Sequence, residues 1–142
     1  MTGPHAPSPA GTGSASPAWA SLRRLARAAR ERAIAPFSRY RVGAALEAED
    51  GTVYTGCNIE NASLGLTMCA ERVALFKALS EGVRRFRRIA IAAAGPEPPF
   101  PCGACRQLLF EYAPGLEVWI EGEERARTIE ELLPAGFRLE VR

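Results

Sequence analysis

The sequence predicts a single α/β domain built on a mixed β-sheet with helices on both of its faces. Its 142 residues match the size of one domain. Hydrophobic residues make up 47% of them, which is enough to form one core. The predicted elements follow the order helix, hairpin, helix, strand, helix, strand, and this order favours a sheet covered by helices.

The chain is predicted to begin with a disordered tail over residues 1–16, and the folded domain then covers residues 17–142. The tail consists of Pro, Gly, Ser, Thr and Ala with almost no large apolar side chain, so it cannot bury enough surface to become ordered. It also lacks the basic residues and the continuous apolar core of a signal peptide. His5, the only histidine, lies in this tail and is not expected to bind a metal.

The first helix is predicted to open at Ser16 and Pro17, which form an N-cap and first-turn pair. Apolar residues then recur at helical spacing, and Pro36 is expected to end the helix. Residues 40–48 and 52–59 should form a hairpin, because Glu49-Asp50-Gly51 between them is a turn signal.

A second helix is predicted to begin near Thr67 and to end at Gly82. The apolar run over residues 88–94 is consistent with a buried strand. A proline-rich loop leads from it to a third helix over residues 102–112, which Pro114-Gly115 stops.

Residues 116–120 form the next predicted strand. Because a helix joins this strand to the one before it, the two strands should be parallel. The gap after Ile120 is too short for a crossover, so a fifth strand should return antiparallel. Thr128 and Glu131 have the spacing of a capping box and predict a short last helix.

Three cysteines and one glutamate have the spacing of a catalytic zinc site. Cys102 and Cys105 stand in a C-x-x-C spacing that brings two thiolates to one metal. Cys69 would supply a third ligand and leave one tetrahedral position open for water. Glu71 would then lie close to the metal without ligating it, as a general acid and base.

The two metal-bearing segments each begin a predicted helix, whose positive N-terminal end favours thiolate over thiol. Three thiolates against one Zn²⁺ leave a negative site, and Arg72 is the best candidate to donate to their sulfurs. Cys57 is interpreted as a small buried thiol rather than as a ligand.

These motifs resemble those of the small homotetrameric cytidine deaminases, and the resemblance extends over residues 36–137. It is carried by three segments that occur in order, namely Cys57-Asn58-Ile59-Glu60-Asn61-Ala62-Ser63, Cys69-Ala70-Glu71-Arg72 and Pro101-Cys102-Gly103-Ala104-Cys105-Arg106-Gln107. The resemblance implies a three-layer fold with a five-stranded mixed sheet, one Zn²⁺ per chain and a homotetramer. It also implies hydrolytic removal of the amine from carbon 4 of cytidine and 2′-deoxycytidine, in pyrimidine salvage.

The resemblance also implies a set of substrate-binding residues. Asn58 and Glu60 would hold a ribose hydroxyl, chiefly the 3′, and the Glu60 carboxylate would repel a phosphate there. Tyr40 matches an aromatic residue that contacts the ring, where the family usually has Phe. Phe137 matches an aromatic residue that approaches the pocket from a neighbouring subunit. Ile59 and Ala70 are the remaining predicted substrate contacts.

One position departs from the family pattern. Leu64 stands where a Tyr is expected, which leaves one subunit-interface contact near the pocket open.

Charge and cysteine content limit the partners. The formal net charge is +2, so the sequence makes no strong case for a nucleic acid. No apolar run approaches the roughly 18 residues of a membrane span. Four cysteines without a secretory leader favour a reducing compartment and metal over disulfides, so we expect a cytoplasmic protein.

Three other interpretations remain open at this point. An enzyme of the same fold could act on another amine, such as blasticidin S or a base within RNA. A zinc-stabilised binding module would need no catalytic glutamate. A thiol–disulfide redox protein using Cys102 and Cys105 would leave Cys69, Glu71 and Asn58 without a role.

Overall fold

The computed structural model describes residues 16–139, so all of the predicted tail except Ser16 lies outside the described residues, as does His5. The helices are α1 (Pro17–Arg30), α2 (Ala70–Ser80), α3 (Gly103–Tyr112) and α4 (Ile129–Leu132), with one 3₁₀ turn at Leu64–Leu66. The strands are β1 (Val42–Ala48), β2 (Val53–Cys57), β3 (Phe86–Ala93), β4 (Glu117–Ile120) and β5 (Arg127–Thr128). Within this range, no helix is long and apolar enough to cross a membrane.

One mixed sheet contains all five strands in the order β2-β1-β3-β4-β5. The predicted hairpin is confirmed, with β1 antiparallel to β2 and also to β3. β3 and β4 are parallel, as expected for two strands joined through a helix. β5 returns antiparallel to β4, and Thr128 forms the predicted capping box with Glu131 at the start of α4.

Alternate residues of the central strands face two separate cores, so the predicted three-layer arrangement is confirmed. On one face Ala45, Ala90 and Trp119 pack with Trp19 and Leu22 of α1. The larger core on the opposite face contains residues of α2, α3 and α4 together with strand residues such as Leu46, Ile89, Ile91 and Val118.

The prediction that Pro36 ends the first helix is wrong, because α1 already ends at Arg30. The three N–H groups after it bond to carbonyls three residues back, so the last turn tightens. The chain then leaves the helix axis, because Ile34 N–H donates to the Asn58 carbonyl at 3.0 Å and the Ile34 carbonyl accepts from Glu60 N–H at 2.8 Å. Tertiary pairing beside the hairpin therefore overrides the helical pattern.

Two glycines let helices approach the hairpin closely from opposite faces. A Cβ at Gly43 would lie 2.0 Å from the Ala26 carbonyl oxygen in α1. A Cβ at Gly56 would lie 2.4 Å from the Ala70 carbonyl oxygen in α2. Both obstructing atoms belong to backbone, which cannot move aside as a flexible side chain would.

Gly43→Ala and Gly56→Ala should each destabilise the protein, although Gly→Ala in a strand is ordinarily neutral or favourable. Overpacking typically costs about 1–3 kcal/mol and occasionally more, and we expect the upper end here. At roughly 4 °C per kcal/mol, Tm should fall by about 10 °C in a thermal circular dichroism scan. Gly65→Ala is the matched control, because nothing lies within 4 Å of a Cβ there. A Tm within about 2 °C of the parent for both strand variants would contradict the close approach.

Candidate active site

The predicted metal ligands come together at the N-termini of two helices. Cys69 is the N-cap residue of α2, Cys102 is that of α3, and Cys105 lies in the first turn of α3. The three sulfur atoms all lie within 4.8 Å of one another, with 3.8 Å between those of Cys69 and Cys102. Cys102 Sγ also accepts a hydrogen bond from Cys105 N–H at 3.5 Å.

Electrostatics at this cluster favour negative sulfur. The pKa of the Cys69 thiol is lowered to about 5, because it accepts hydrogen bonds from the Cys105 thiol and from Arg72. Arg72 Nη2 donates to Cys69 Sγ at 3.3 Å, in the position predicted for it. The pKa of Cys105 is raised by that sharing with Cys69 and by burial. Three soft sulfur donors fit Zn²⁺.

Glu71 lies beside the cluster in the first turn of α2, and the residue is only 4% exposed. Burial, together with the negative charge of Cys69, raises the pKa of this carboxyl to about 7. A group with such a pKa can both accept and donate a proton near neutrality. The carboxyl also has a hydrogen-bond interaction with Cys105, one of the predicted ligands.

A cavity of about 360 Å³ opens onto these groups. It lies where β1 begins and where β2 and β3 end, because β1 runs antiparallel to both neighbours. Its lining includes Cys69, Cys102 and Glu71 together with Asn58 and Glu60. The volume suits a small-molecule ligand.

Asn58 uses both ends of its side-chain amide to hold the segment that enters β1. Its Oδ1 accepts from Val42 N–H at 2.8 Å, and its Nδ2 donates to the Tyr40 carbonyl at 2.7 Å. The side chain is buried but still lines the cavity. Asn58 therefore shapes the wall that carries Tyr40.

Glu60 holds the preceding loop in the same way. Its Oε1 accepts from Phe37 N–H at 2.9 Å and from Ser38 N–H at 3.1 Å. Its Oε2 accepts from the Ser38 hydroxyl. Ser38 and Glu60 both line the cavity, so this group of contacts forms part of the site.

The other predicted substrate contacts divide into two groups. Tyr40 and Ala70 line the cavity. Ile59 does not, since it is half-exposed and its backbone bridges to Ile34 and Met68. Phe137 is 64% exposed and does not line the cavity of its own chain, and its carbonyl accepts from Gln107 Nε2 at 3.1 Å.

Further lining residues were not predicted from the sequence, namely Ser38, Val42, Thr67, Pro98, Pro99 and Phe100. The proline-rich run before Cys102 was predicted only as a loop. It forms a wall of the cavity, and its position next to a predicted ligand was the available signal. Ser38 lies far from every metal-site motif along the chain, so its position gave no comparable signal.

The chain is similar to known proteins over most of its length. Residues 19–119 match a family model described as the cytidine and deoxycytidylate deaminase zinc-binding region. A cytidine deaminase of Halalkalibacterium halodurans is 52% identical over 116 residues, covering 79% of this chain and 88% of that protein. A cytidine deaminase of Sporosarcina psychrophila is 49% identical over 116 residues, covering 79% and 85%. A crystal structure of cytidine deaminase from Burkholderia pseudomallei superposes with a TM-score of 0.79 at 48% identity, covering 83% of this chain and 98% of that one.

Proposed function

Because the chain belongs to the cytidine and deoxycytidylate deaminase family, we propose that it hydrolyses cytidine and 2′-deoxycytidine to uridine and 2′-deoxyuridine plus ammonia. One observation carries this proposal. A buried carboxyl, Glu71, lies beside a cluster of three cysteines in the same cavity. A redox pair of Cys102 and Cys105 would leave Cys69 without a role, and a structural zinc site would have four protein ligands instead of three.

Cys69, Cys102 and Cys105 would hold the zinc ion. A zinc ion bound there supplies Lewis-acid activation of the attacking water. Arg72, which already donates to Cys69 Sγ, offsets the negative charge of three thiolates and orients that sulfur. The helix N-termini at Cys69 and Cys102 carry partial positive charge and, like Arg72, offset the negative charge of the thiolates.

Glu71 moves the protons of the reaction. Its carboxylate accepts a proton from the attacking water and delivers it to ring nitrogen 3 of cytosine. It then carries the second proton of the water to the departing amine, which leaves as ammonia. The carboxylate is regenerated, so Glu71 gains and loses protons within one turnover. Its burial keeps bulk water from competing for these protons.

Ammonia release tests this function directly. The zinc-loaded protein should release one ammonia per cytidine consumed, with conversion to uridine followed by ultraviolet absorbance. Blasticidin S and a cytosine-containing RNA oligonucleotide serve as the two competing substrates. Release from either of these without release from cytidine would overturn the proposal.

We also propose that the protein is a cytoplasmic homotetramer. Phe137 supports the assembly, because it is large, apolar and mostly exposed on the chain by itself. Leu64, which stands where the family has Tyr, is likewise exposed. Light scattering of the purified protein measures the assembly, and a monomeric mass at micromolar concentration would contradict it.

The part of the cavity lined by Asn58 and Glu60, which we call the sugar end, predicts a dependence of activity on the 3′-hydroxyl. A carboxylate has about four acceptor sites, and Glu60 has three occupied by the loop, so one remains for a donor in the cavity. A substrate without the 3′-hydroxyl would leave that acceptor site without its donor. We expect 3′-deoxycytidine to lose at least about tenfold in kcat/KM, while 2′-deoxycytidine reacts like cytidine.

Phosphorylated substrates extend this test. Cytidine 3′-monophosphate should react more slowly than 3′-deoxycytidine, because its charge opposes that of Glu60. Cytosines in single-stranded DNA or RNA should not react. An oligonucleotide or a 3′-deoxy analogue that reacts as well as cytidine would contradict the role of Glu60.

A further inference from the structure

The loop before β1 is held in a strained conformation beside the sugar end of the cavity. Arg39 has φ 57°, which is the left-handed region that non-glycine residues seldom adopt. Its N–H donates to the Ala35 carbonyl at 2.9 Å, which closes a tight turn. Such a conformation persists only where surrounding contacts impose it, and strain of this kind concentrates at functional sites. Hydrogen bonds to Glu60 and to the Ser38 hydroxyl hold the residues on both sides of Arg39.

The Ser38 hydroxyl has a defined direction in this loop. Its oxygen accepts from Tyr40 N–H at 3.0 Å, so its proton is free to be donated elsewhere. That proton is donated to Glu60 Oε2. A hydroxyl has only one proton, so Ser38 acts as an acceptor toward Tyr40 and as a donor toward Glu60 at the same time.

The two oxygens of Glu60 are held unequally. Two backbone N–H groups anchor Oε1, whereas Ser38 is the side-chain donor that holds Oε2. Without that donor the carboxylate could turn about its anchored oxygen. The same hydrogen bond is the main reason why the pKa of Glu60 lies below its usual value.

We infer that Ser38 is a positioning residue that fixes Glu60 Oε2 so that the one remaining acceptor site serves the sugar hydroxyl. Ser38 thereby determines how strongly the enzyme rejects nucleosides without that hydroxyl. This inference rests on the proposed deamination of cytidine. It assigns to Ser38 no contact with the reacting atoms.

The test compares two substrates in four proteins. The ratio of kcat/KM for cytidine to kcat/KM for 3′-deoxycytidine is measured for the parent and for Ser38→Ala, Ser38→Thr and Ser63→Ala. In Ser38→Ala, kcat/KM for cytidine should fall about tenfold and that for 3′-deoxycytidine less than about threefold. The ratio should therefore fall more than about threefold. Ser38→Thr keeps the hydroxyl and should restore most of the ratio.

Two controls separate positioning from a general structural defect. Ser63→Ala removes a hydroxyl that makes no capping hydrogen bond in its own turn, and it should leave the ratio unchanged. A general defect in Ser38→Ala would slow both substrates equally, whereas loss of positioning changes their ratio. In a Glu60→Gln background, Ser38→Ala should have little further effect on the ratio, because both changes remove the same oriented acceptor.

The outcomes distinguish this inference from the proposed function. A parent protein that does not deaminate cytidine would overturn both. An active parent whose ratio survives in Ser38→Ala would overturn the role of Ser38 alone. Failure of Ser38→Thr to restore the ratio would also overturn it. Effects of Ser38→Ala and Glu60→Gln on the ratio that are independent of each other would do the same.

Discussion

Glu71→Gln is expected to lower kcat for cytidine by at least the ~10²–10⁴-fold that is typical when a general acid and base is lost. The amide keeps the shape of the side chain in its buried position but cannot accept a proton. A larger drop is expected if several proton transfers depend on this one group. Because Glu71 is not a predicted ligand, the zinc content should stay at one per chain.

Glu97→Gln is the matched control for this experiment. Glu97 lies on the exposed proline-rich loop near the cavity, but it does not line it. This variant should retain both zinc and full activity. If Glu71→Gln stayed within tenfold of the parent, the proton carrier would have to be another residue.

Replacing Cys102 by Ala is expected to abolish stoichiometric zinc binding and with it the activity. The change leaves two sulfurs where three lie within 4.8 Å, and loss of a ligand should weaken binding beyond the ~10–100-fold that follows loss of an outer partner. Since metal binding is coupled to folding, Tm should also fall. Elemental analysis after dialysis gives the zinc content, and Cys69→Ala and Cys105→Ala should behave alike.

Cys57→Ala is the control for a missing thiol. Cys57 lies at the end of β2 and is only partly buried, not fully buried as the sequence suggested. It is not part of the three-cysteine cluster, so this variant should keep its zinc. Stoichiometric zinc retained in Cys102→Ala would show that the ligand set is different.

The order and direction of the strands were predictable because connection lengths decide them. The helix between the segments at Ile91 and Val118 required a parallel pair, and the short gap after Ile120 required an antiparallel return. The end of α1 was not predictable in this way. Ile34 leaves the helical path because of backbone bonds to Asn58 and Glu60, which are more than twenty residues away in the chain.

The residues of the candidate site also differ in whether short local motifs or long-range contacts place them. Cys69, Glu71, Cys102 and Cys105 stand in short local motifs, and the structure brings them together as expected. Their individual roles stay predictions until the variants are measured. The engagement of the Asn58 side chain with the backbone at Tyr40 and Val42 follows from long-range packing, which local spacing does not encode. The same is true of the pairing of Ser38 with Glu60.

The close contact of α2 with Gly56 has a consequence for how this pocket can be altered by mutation or by evolution. Gly56 precedes Asn58 and Glu60 by a few residues, and Ala70, whose carbonyl it meets, is adjacent to Glu71. The backbone contact between Gly56 and Ala70 therefore determines the spacing between the sugar end and Glu71. A side chain added at Gly56 would push against this backbone, whereas substitutions elsewhere reshape the surfaces of the cavity. New substrate preferences should therefore arise more readily in the flanking loops at residues 35–40 and 94–101 than at the contact between Gly56 and α2.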